Sequence, residues 1–211
     1  MSGKNEIVFR IITIGDSNVG KTSIIRRYTE NIFEESTLST IGVGFSIKNV
    51  KLKNNIIVQL KLIDTAGQER HRALSRTYFK NTEGVLFIFS FEEKKSFDNL
   101  RGWIRLFKES YNGKEGIPTI LIGNKNDLEK KVTQEEINEF LNDYKDMKFE
   151  ETSAKNNTSI DKVFEEMAEL LYEDYVKTGG DNKKQNTTIL KADNNKNKKK
   201  NACICTRDAD I

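Results

Sequence analysis

Residues 11–22 read IITIGDSNVGKT, and this stretch decides how the rest of the chain is read. The apolar run Ile7–Ile14 predicts a buried strand, and Ser23–Tyr28 has the spacing of a helix. Between them lies G-x-x-x-x-G-K-[ST], filled by Gly15, Gly20, Lys21 and Thr22. Glycines let the backbone curl so that successive N–H groups converge on phosphate oxygens. The helix that follows adds its dipole and unpaired N–H groups. Ser17, Asn18, Val19, Gly20, Lys21, Thr22 and Ser23 form the expected phosphate-binding set. Lys21 is expected at the β- and γ-phosphates, and the Thr22 hydroxyl on Mg²⁺. Alone, the pattern also suits a glycine turn before a helix whose lysine faces solvent. The flanking strand and helix argue for the phosphate loop.

The chain has 211 residues, enough for one domain of ordinary size plus a tail. Its net charge is +3, unevenly placed. From Asp181 onward there are eight cations and four acids, which leaves the body at a net −1. A near-neutral body argues against nucleic-acid binding, which needs a basic face. No apolar run is long enough to span a membrane, and the first ten residues lack a signal-peptide pattern. The two cysteines, Cys203 and Cys205, both lie in the tail, so the body has no disulfide framework and suits the cytosol.

Apolar runs alternate with helical patterns, which predicts an α/β fold. Further strands are expected at Phe45–Lys53, Ile56–Ile63, Val85–Phe91, Thr119–Gly123 and Lys148–Thr152, with a hairpin turn at Asn54-Asn55. Glu69–Lys80 reads as a short helix, and Ser96–Tyr111 as a longer one whose aromatic residues, Trp103 among them, pack into the core. Thr133-Gln134-Glu135-Glu136 is a capping box opening a helix through Tyr144. The last helix buries Ile160, Val163, Phe164, Met167, Leu170 and Leu171 and ends near Gly179-Gly180. Residues 1–180 are thus expected to form one domain. Residues 181–211, rich in Lys and Asn and poor in large apolar groups, are expected to be disordered.

Four further motifs fall after strands, at the end of a parallel sheet where ligands bind. Asp64-Thr65-Ala66-Gly67-Gln68 offers Asp64 to a Mg²⁺ ion, the Gly67 N–H to a γ-phosphate, and Gln68 to orient an attacking water. Asn124-Lys125-Asn126-Asp127 offers one carboxylate, Asp127, to the paired N1–H and N2–H₂ donors of guanine. Adenine lacks that pair and would leave the carboxylate unsatisfied. Asn124 would brace the loops, and the Lys125 stem would cover one face of the base. In Ser153-Ala154-Lys155, the Ala154 N–H is a donor for guanine O6. Thr40 is placed to ligate Mg²⁺ from a loop that the γ-phosphate would order, and Phe33 to pack edge-on against the base.

Together these motifs resemble the Ras-like small GTPases over about Ile7 to Tyr175. Within that group the chain is similar to the Rabs through Ser39–Phe45, Asp64–Arg70, Tyr78-Phe79, Ser96–Leu100 before Trp103, and Glu151–Lys155. The resemblance implies a P-loop G domain: a six-stranded, mostly parallel sheet flanked by five helices. It implies a monomeric switch that binds GTP and GDP with Mg²⁺, hydrolyses GTP slowly with Gln68 as the catalytic residue, and acts in vesicle trafficking. Partners implied are an exchange factor, a GTPase-activating protein, effectors reading Thr37–Phe45 and Gln68–Tyr78, and prenylation-escort and dissociation-inhibitor proteins. The place implied is the cytosol and the cytoplasmic face of intracellular membranes.

The chain departs from the family at four positions: Gly44 where Rabs usually carry Asp, Ile63 where they carry Trp, His71 where they carry Phe, and Asn18 where Gly is common, though Asn tolerates unusual backbone angles. The family's effector-reading aromatic triad maps to Phe45, Ile63 and Tyr78, with one aromatic lost. Cys203-Ile204-Cys205 resembles the Rab Cys-x-Cys prenylation signal beside a polybasic Lys198–Lys200, but Thr206–Ile211 follows it. Three readings stay open there: double prenylation despite the extension, trimming or palmitoylation, and no lipid. For the body, the alternatives are a guanine-nucleotide-dependent binding module without significant hydrolysis, and a P-loop kinase or ATPase.

Overall fold

The computed structural model describes residues 7–35, 40, 42–65 and 77–180. The elements are β1 (Ile7–Ile14), α1 (Lys21–Glu30), β2 (Val43–Lys51), β3 (Ile57–Thr65), β4 (Gly84–Ser90), α2 (Lys94–Asp98), α3 (Leu100–Ser110), β5 (Thr119–Asn124), α4 (Gln134–Asn142), β6 (Lys148–Glu151) and α5 (Ile160–Lys177). The six strands form one sheet in the order β2-β3-β1-β4-β5-β6. Only β2 runs antiparallel to its neighbour, joined to β3 by the expected hairpin, with Asn55 at φ 66. Asn accepts this left-handed backbone more readily than other non-glycine residues.

The continuous apolar strands are explained by burial on both faces. Phe9, Ile11, Leu86, Ile88, Ile120 and Ile122 belong to one buried cluster, with Ile24 of α1 and Phe164 of α5. Their neighbours Ile12, Ile14, Val85, Phe87, Phe89 and Leu121 belong to the other, with Phe107 of α3 and Phe140 of α4. Successive side chains of a strand point to opposite faces, so each strand feeds both cores. The helices after β1 and β4 therefore cover opposite faces although the two strands are hydrogen-bonded neighbours. Such a reversal opens a crevice at the strands' carboxyl ends.

Several boundaries differ from expectation for local reasons. The first helix begins at Lys21, so Lys21 and Thr22 carry helical geometry. It ends at Asn31, whose φ of 57 and N–H bond to the Arg27 carbonyl close the last turn. The single helix expected over Ser96–Tyr111 is two, α2 and α3, meeting at Asn99. The capping box is present in full: Thr133 Oγ1 accepts from the Glu136 N–H, and the Thr133 N–H donates to Glu136 Oε2. Most of the helix expected at Glu69–Lys80 lies outside the described residues, as do Gly67, Gln68, His71 and the whole tail with Cys203 and Cys205.

Candidate nucleotide and metal site

The loop after β1 is pressed against β4. A Cβ on Gly15 would stand 2.1 Å from the Ile88 carbonyl oxygen, so only glycine fits there. Gly20, at φ 94, turns the chain into α1 with its Cα facing Asn124; a Cβ would meet Asn124 Nδ2 at 2.3 Å. Asn18 takes a φ of 63 between them. Ser17 and Asn18 are exposed at the rim, whereas Val19 turns its side chain into the core. No side chain caps the N-terminus of α1, so the first-turn N–H groups of Lys21, Thr22 and Ser23 have no capping partner.

Lys21 folds back over this loop. Its Nζ donates to the carbonyls of Gly15 at 3.0 Å and Asp16 at 2.6 Å. The side chain is buried, and desolvation pushes its pKa down to about 8, against the opposing pull of Asp64 and Asp16. A buried ammonium held by two carbonyls lacks a full counter-charge. A phosphate would supply one.

Thr22, Thr40 and Asp64 meet at one point. Thr22 Oγ1 lies 2.7 Å from Thr40 Oγ1 and donates to Asp64 Oδ2 at 2.7 Å. Burial pushes the Asp64 carboxyl above its ordinary range, against the hydrogen bond from Thr22 and the Lys21 charge. Asp64 Oδ1 is buried with no hydrogen-bond partner. Two hydroxyls and a half-unsatisfied carboxylate beside a phosphate loop are a hard oxygen set. They fit Mg²⁺, which takes few protein ligands and completes its shell with phosphate and water. Among the described residues no cluster of His, Cys, Asp and Glu offers a rival metal site.

The loops after β5 and β6, expected to face a base, converge on Asn124. Its Nδ2 donates to the Val19 carbonyl at 2.8 Å, tying it to the phosphate loop. Its Oδ1 accepts from Thr152 Oγ1 at 3.1 Å and from the Ala154 N–H at 3.3 Å. The Ala154 N–H, expected to face a base, is therefore spent on a long bond for which guanine O6 would compete. Asp127 is exposed, not buried, and its Oδ1 accepts from Ser153 Oγ at 2.5 Å. Lys125 has a φ of 60, and its Nζ stands 3.4 Å from Glu92. Phe33 is half-buried with the Arg27 guanidinium 5.9 Å from its ring centre. Lys155 reaches Glu35 at 2.8 Å.

Arg27 escaped the sequence reading. Its Nε donates to the Ala154 carbonyl at 2.9 Å and its Nη2 to the Lys155 carbonyl at 3.2 Å, locking α1 to the loop after β6. No motif marks it, because the partners that fix this loop lie more than a hundred residues away in sequence, although its Nη1 also donates to Asn31 nearby.

On the outer face of the β2–β3 hairpin, Phe45 pairs in register with Ile63, and its ring lies 5.6 Å from that of Tyr78. The three positions of the expected triad are thus adjacent, with Phe45 64% exposed and Ile63 buried.

A tight glycine loop at the β1–β4 crevice, a cluster of hard oxygens beside it and two further loops meeting at Asn124 have the form of a P-loop nucleotide-binding domain. The Ras family model matches residues 10–173. The chain is 34% identical over 196 residues to "Ras-related protein Rab-13" of Rattus norvegicus, covering 92% of this chain and 95% of that one. It is 36% identical over 197 residues to "Ras-related protein Rab-11B" of Dictyostelium discoideum, covering 92% and 84%. With "Ras-related protein Rab-8A" of Pongo abelii it shares 36% identity over 166 residues, 78% of each chain. The chain belongs to the Ras family and, within it, to the Rab small GTPases, GTP hydrolases that act in vesicle trafficking. Such proteins use guanine nucleotides with Mg²⁺, work with regulators and effectors, and act on intracellular membranes. Among the described residues no helix is long and apolar enough to cross one.

Proposed function

We propose that residues 1–180 bind GTP and GDP in the crevice described and hydrolyse GTP slowly, as a timed membrane switch. The observation that carries this reading is the meeting of Thr22, Thr40 and Asp64 beside the Lys21 ammonium. Lys21 would hold the β- and γ-phosphates, with Ser17, Asn18, Val19, Gly20, Thr22 and Ser23 supplying the backbone cradle. Thr22, Thr40 and Asp64 would hold Mg²⁺, which when bound neutralises charge on the phosphate oxygens. Asp127 would read the guanine N1–H and N2–H₂ edge, with Ser153 fixing its carboxylate and Ala154 offering its N–H to O6. Asn124 would brace the three loops, while the stems of Lys125 and Lys155 and the Phe33 ring would enclose the base.

Gly67 and Gln68 would follow Asp64 into the γ-phosphate region, Gln68 orienting the attacking water. In-line positioning matters more than a strong base in phosphoryl transfer. A partner arginine would add a factor of roughly 10³–10⁵. Single-turnover phosphate release from GTP-loaded protein tests the assignment. The native chain is expected to release phosphate over minutes to hours and Gln68→Leu to release almost none. Equal release from both would remove Gln68 from catalysis, and none from either would leave a nucleotide-gated binding module.

The exposed Phe45, beside Tyr78 and Ile63, is the surface proposed for effectors, with exchange-factor and activating-protein contacts across the neighbouring segments. For residues 181–211 we propose a basic anchor carrying prenyl groups on Cys203 and Cys205, aided by Lys198–Lys200. Lipid plus basic charge is the two-signal arrangement that stable anchoring needs. Escort and dissociation-inhibitor proteins would then carry it between cytosol and membrane. Mass spectrometry of the protein from its own cells is expected to find two isoprenoids on the tail peptide. Unmodified cysteines there would remove the anchor.

A further inference from the structure

Asp16 sits inside the phosphate loop, between Gly15 and Ser17. A carboxylate there would repel phosphates if it swung inward. It does not, because both of its oxygens are held by side chains at the start of α3. Oδ2 accepts from Asn99 Nδ2 at 2.7 Å, and Oδ1 accepts from the Trp103 indole Nε1–H at 2.7 Å. The Asp16 carbonyl meanwhile accepts from Lys21 Nζ at 2.6 Å. One residue is therefore fixed at both ends, by α3 through its side chain and by Lys21 through its backbone.

Two details show that this contact is built. Asn99 joins α2 to α3 with helical backbone angles, φ −74 and ψ −13, and so lacks the extended backbone from which an N-cap side chain reaches its own helix. Here it makes no capping bond, and its amide goes to Asp16 instead. Trp103 lies four residues on, hence on the same helix face, and its ring is buried. A buried indole N–H needs one acceptor, and any carbonyl would serve. It finds a carboxylate from the phosphate loop, a stronger, charge-assisted partner.

We infer that Asn99 and Trp103 are positioning residues for nucleotide retention: through Asp16 they fix the loop carbonyl that aims Lys21 at the phosphates. The inference rests on the placement of phosphates proposed above. It makes α3 part of the apparatus that sets how fast nucleotide leaves. Any partner displacing α3 would loosen the phosphate loop without entering the crevice.

The test is the release rate of radiolabelled GDP from the full-length chain in excess Mg²⁺ and unlabelled GDP. Asn99→Asp sets two carboxylates against each other and is expected to speed release about tenfold or more. Adding Asp16→Asn restores a complementary pair: the new amide donates to the carboxylate at 99, and its oxygen accepts from Trp103. The double variant is expected to return to within about threefold of the native rate, which a general weakening of the fold would not do. Trp103→Phe keeps the ring and removes the donor, and is expected to speed release by about fivefold. Native release from both Asn99→Asp and Trp103→Phe would overturn the inference. So would a double variant as fast as Asn99→Asp alone. If Asn99→Asp does not fold, Trp103→Phe decides. A native chain that retains no GDP would overturn the phosphate placement itself, separately from any variant's behaviour.

Discussion

Lys21→Met is expected to lower GDP affinity by about 10²–10³-fold, the scale on which truncating one member of a buried charge pair acts. In the nucleotide-free protein the same substitution is expected to leave the urea midpoint unchanged or to raise it. The reason lies in the Lys21 surroundings. Its Nζ is buried against two carbonyls, and desolvation brings its pKa from an ordinary 10.5 to about 8. The fold therefore opposes the charge that phosphate binding requires. Met fills a similar volume without that cost. Between pH 8 and 10.5 the unfolded chain holds the Lys21 proton more tightly than the folded one. This residue therefore makes nucleotide-free stability rise with pH across that window, and its penalty is fully present below pH 8. Urea unfolding of the nucleotide-free native chain and Lys21→Met at pH 7 and pH 9.5 checks the sign: the difference between them should shrink at the higher pH. A Lys21→Met chain that retains GDP normally would contradict the role given to the ammonium.

Asp127→Asn is the second large effect. The carboxylate offers two acceptors at the rim of the crevice, one of them meeting Ser153 Oγ at 2.5 Å. Guanine presents two adjacent donors. An amide in place of the carboxylate sets an N–H₂ against one of them and is expected to weaken GDP by about 10²–10³-fold, the loss of a charged two-bond contact. Xanthine carries a C2 oxygen where guanine carries the amino group, so the same amide suits it. Xanthosine diphosphate is expected to bind Asp127→Asn more tightly than GDP does. Competition between the two diphosphates measures both parts. Retained preference for GDP would mean that the base is read elsewhere.

What could be read from the chain alone were the features whose causes are local. The glycine loop announces itself because glycine is needed at fixed steps: Gly15 faces a backbone carbonyl that excludes a Cβ, and Gly20 takes a φ of 94. The capping box at Thr133 is complete within four residues, so its pattern and its geometry coincide. Strands β4 and β5 stand out because two-sided burial demands uninterrupted apolar runs, and β2 and β3 because their side chains alternate between polar and apolar. The features that were missed depend on distant partners. Trp103 reads as core packing, and its ring is indeed buried, but its N–H serves a carboxylate 87 residues earlier. Asn99 stands where the one expected helix is two, and its amide serves Asp16, 83 residues earlier. Arg27 joins loops that no spacing rule connects. Asp127 lies exposed, with its Oδ1 accepting from Ser153 Oγ of a loop 26 residues further on.

The most direct measurement is the identity of the nucleotide that the purified chain carries. Protein isolated in Mg²⁺ and then denatured should release guanine nucleotide, chiefly GDP, at close to one per chain on anion-exchange chromatography. Chelating Mg²⁺ beforehand should lower that yield, since Thr22, Thr40 and Asp64 would lose the ion they share with the phosphates. Adenine nucleotide in its place, or none at all from freshly isolated protein in excess Mg²⁺, would contradict the account of this crevice.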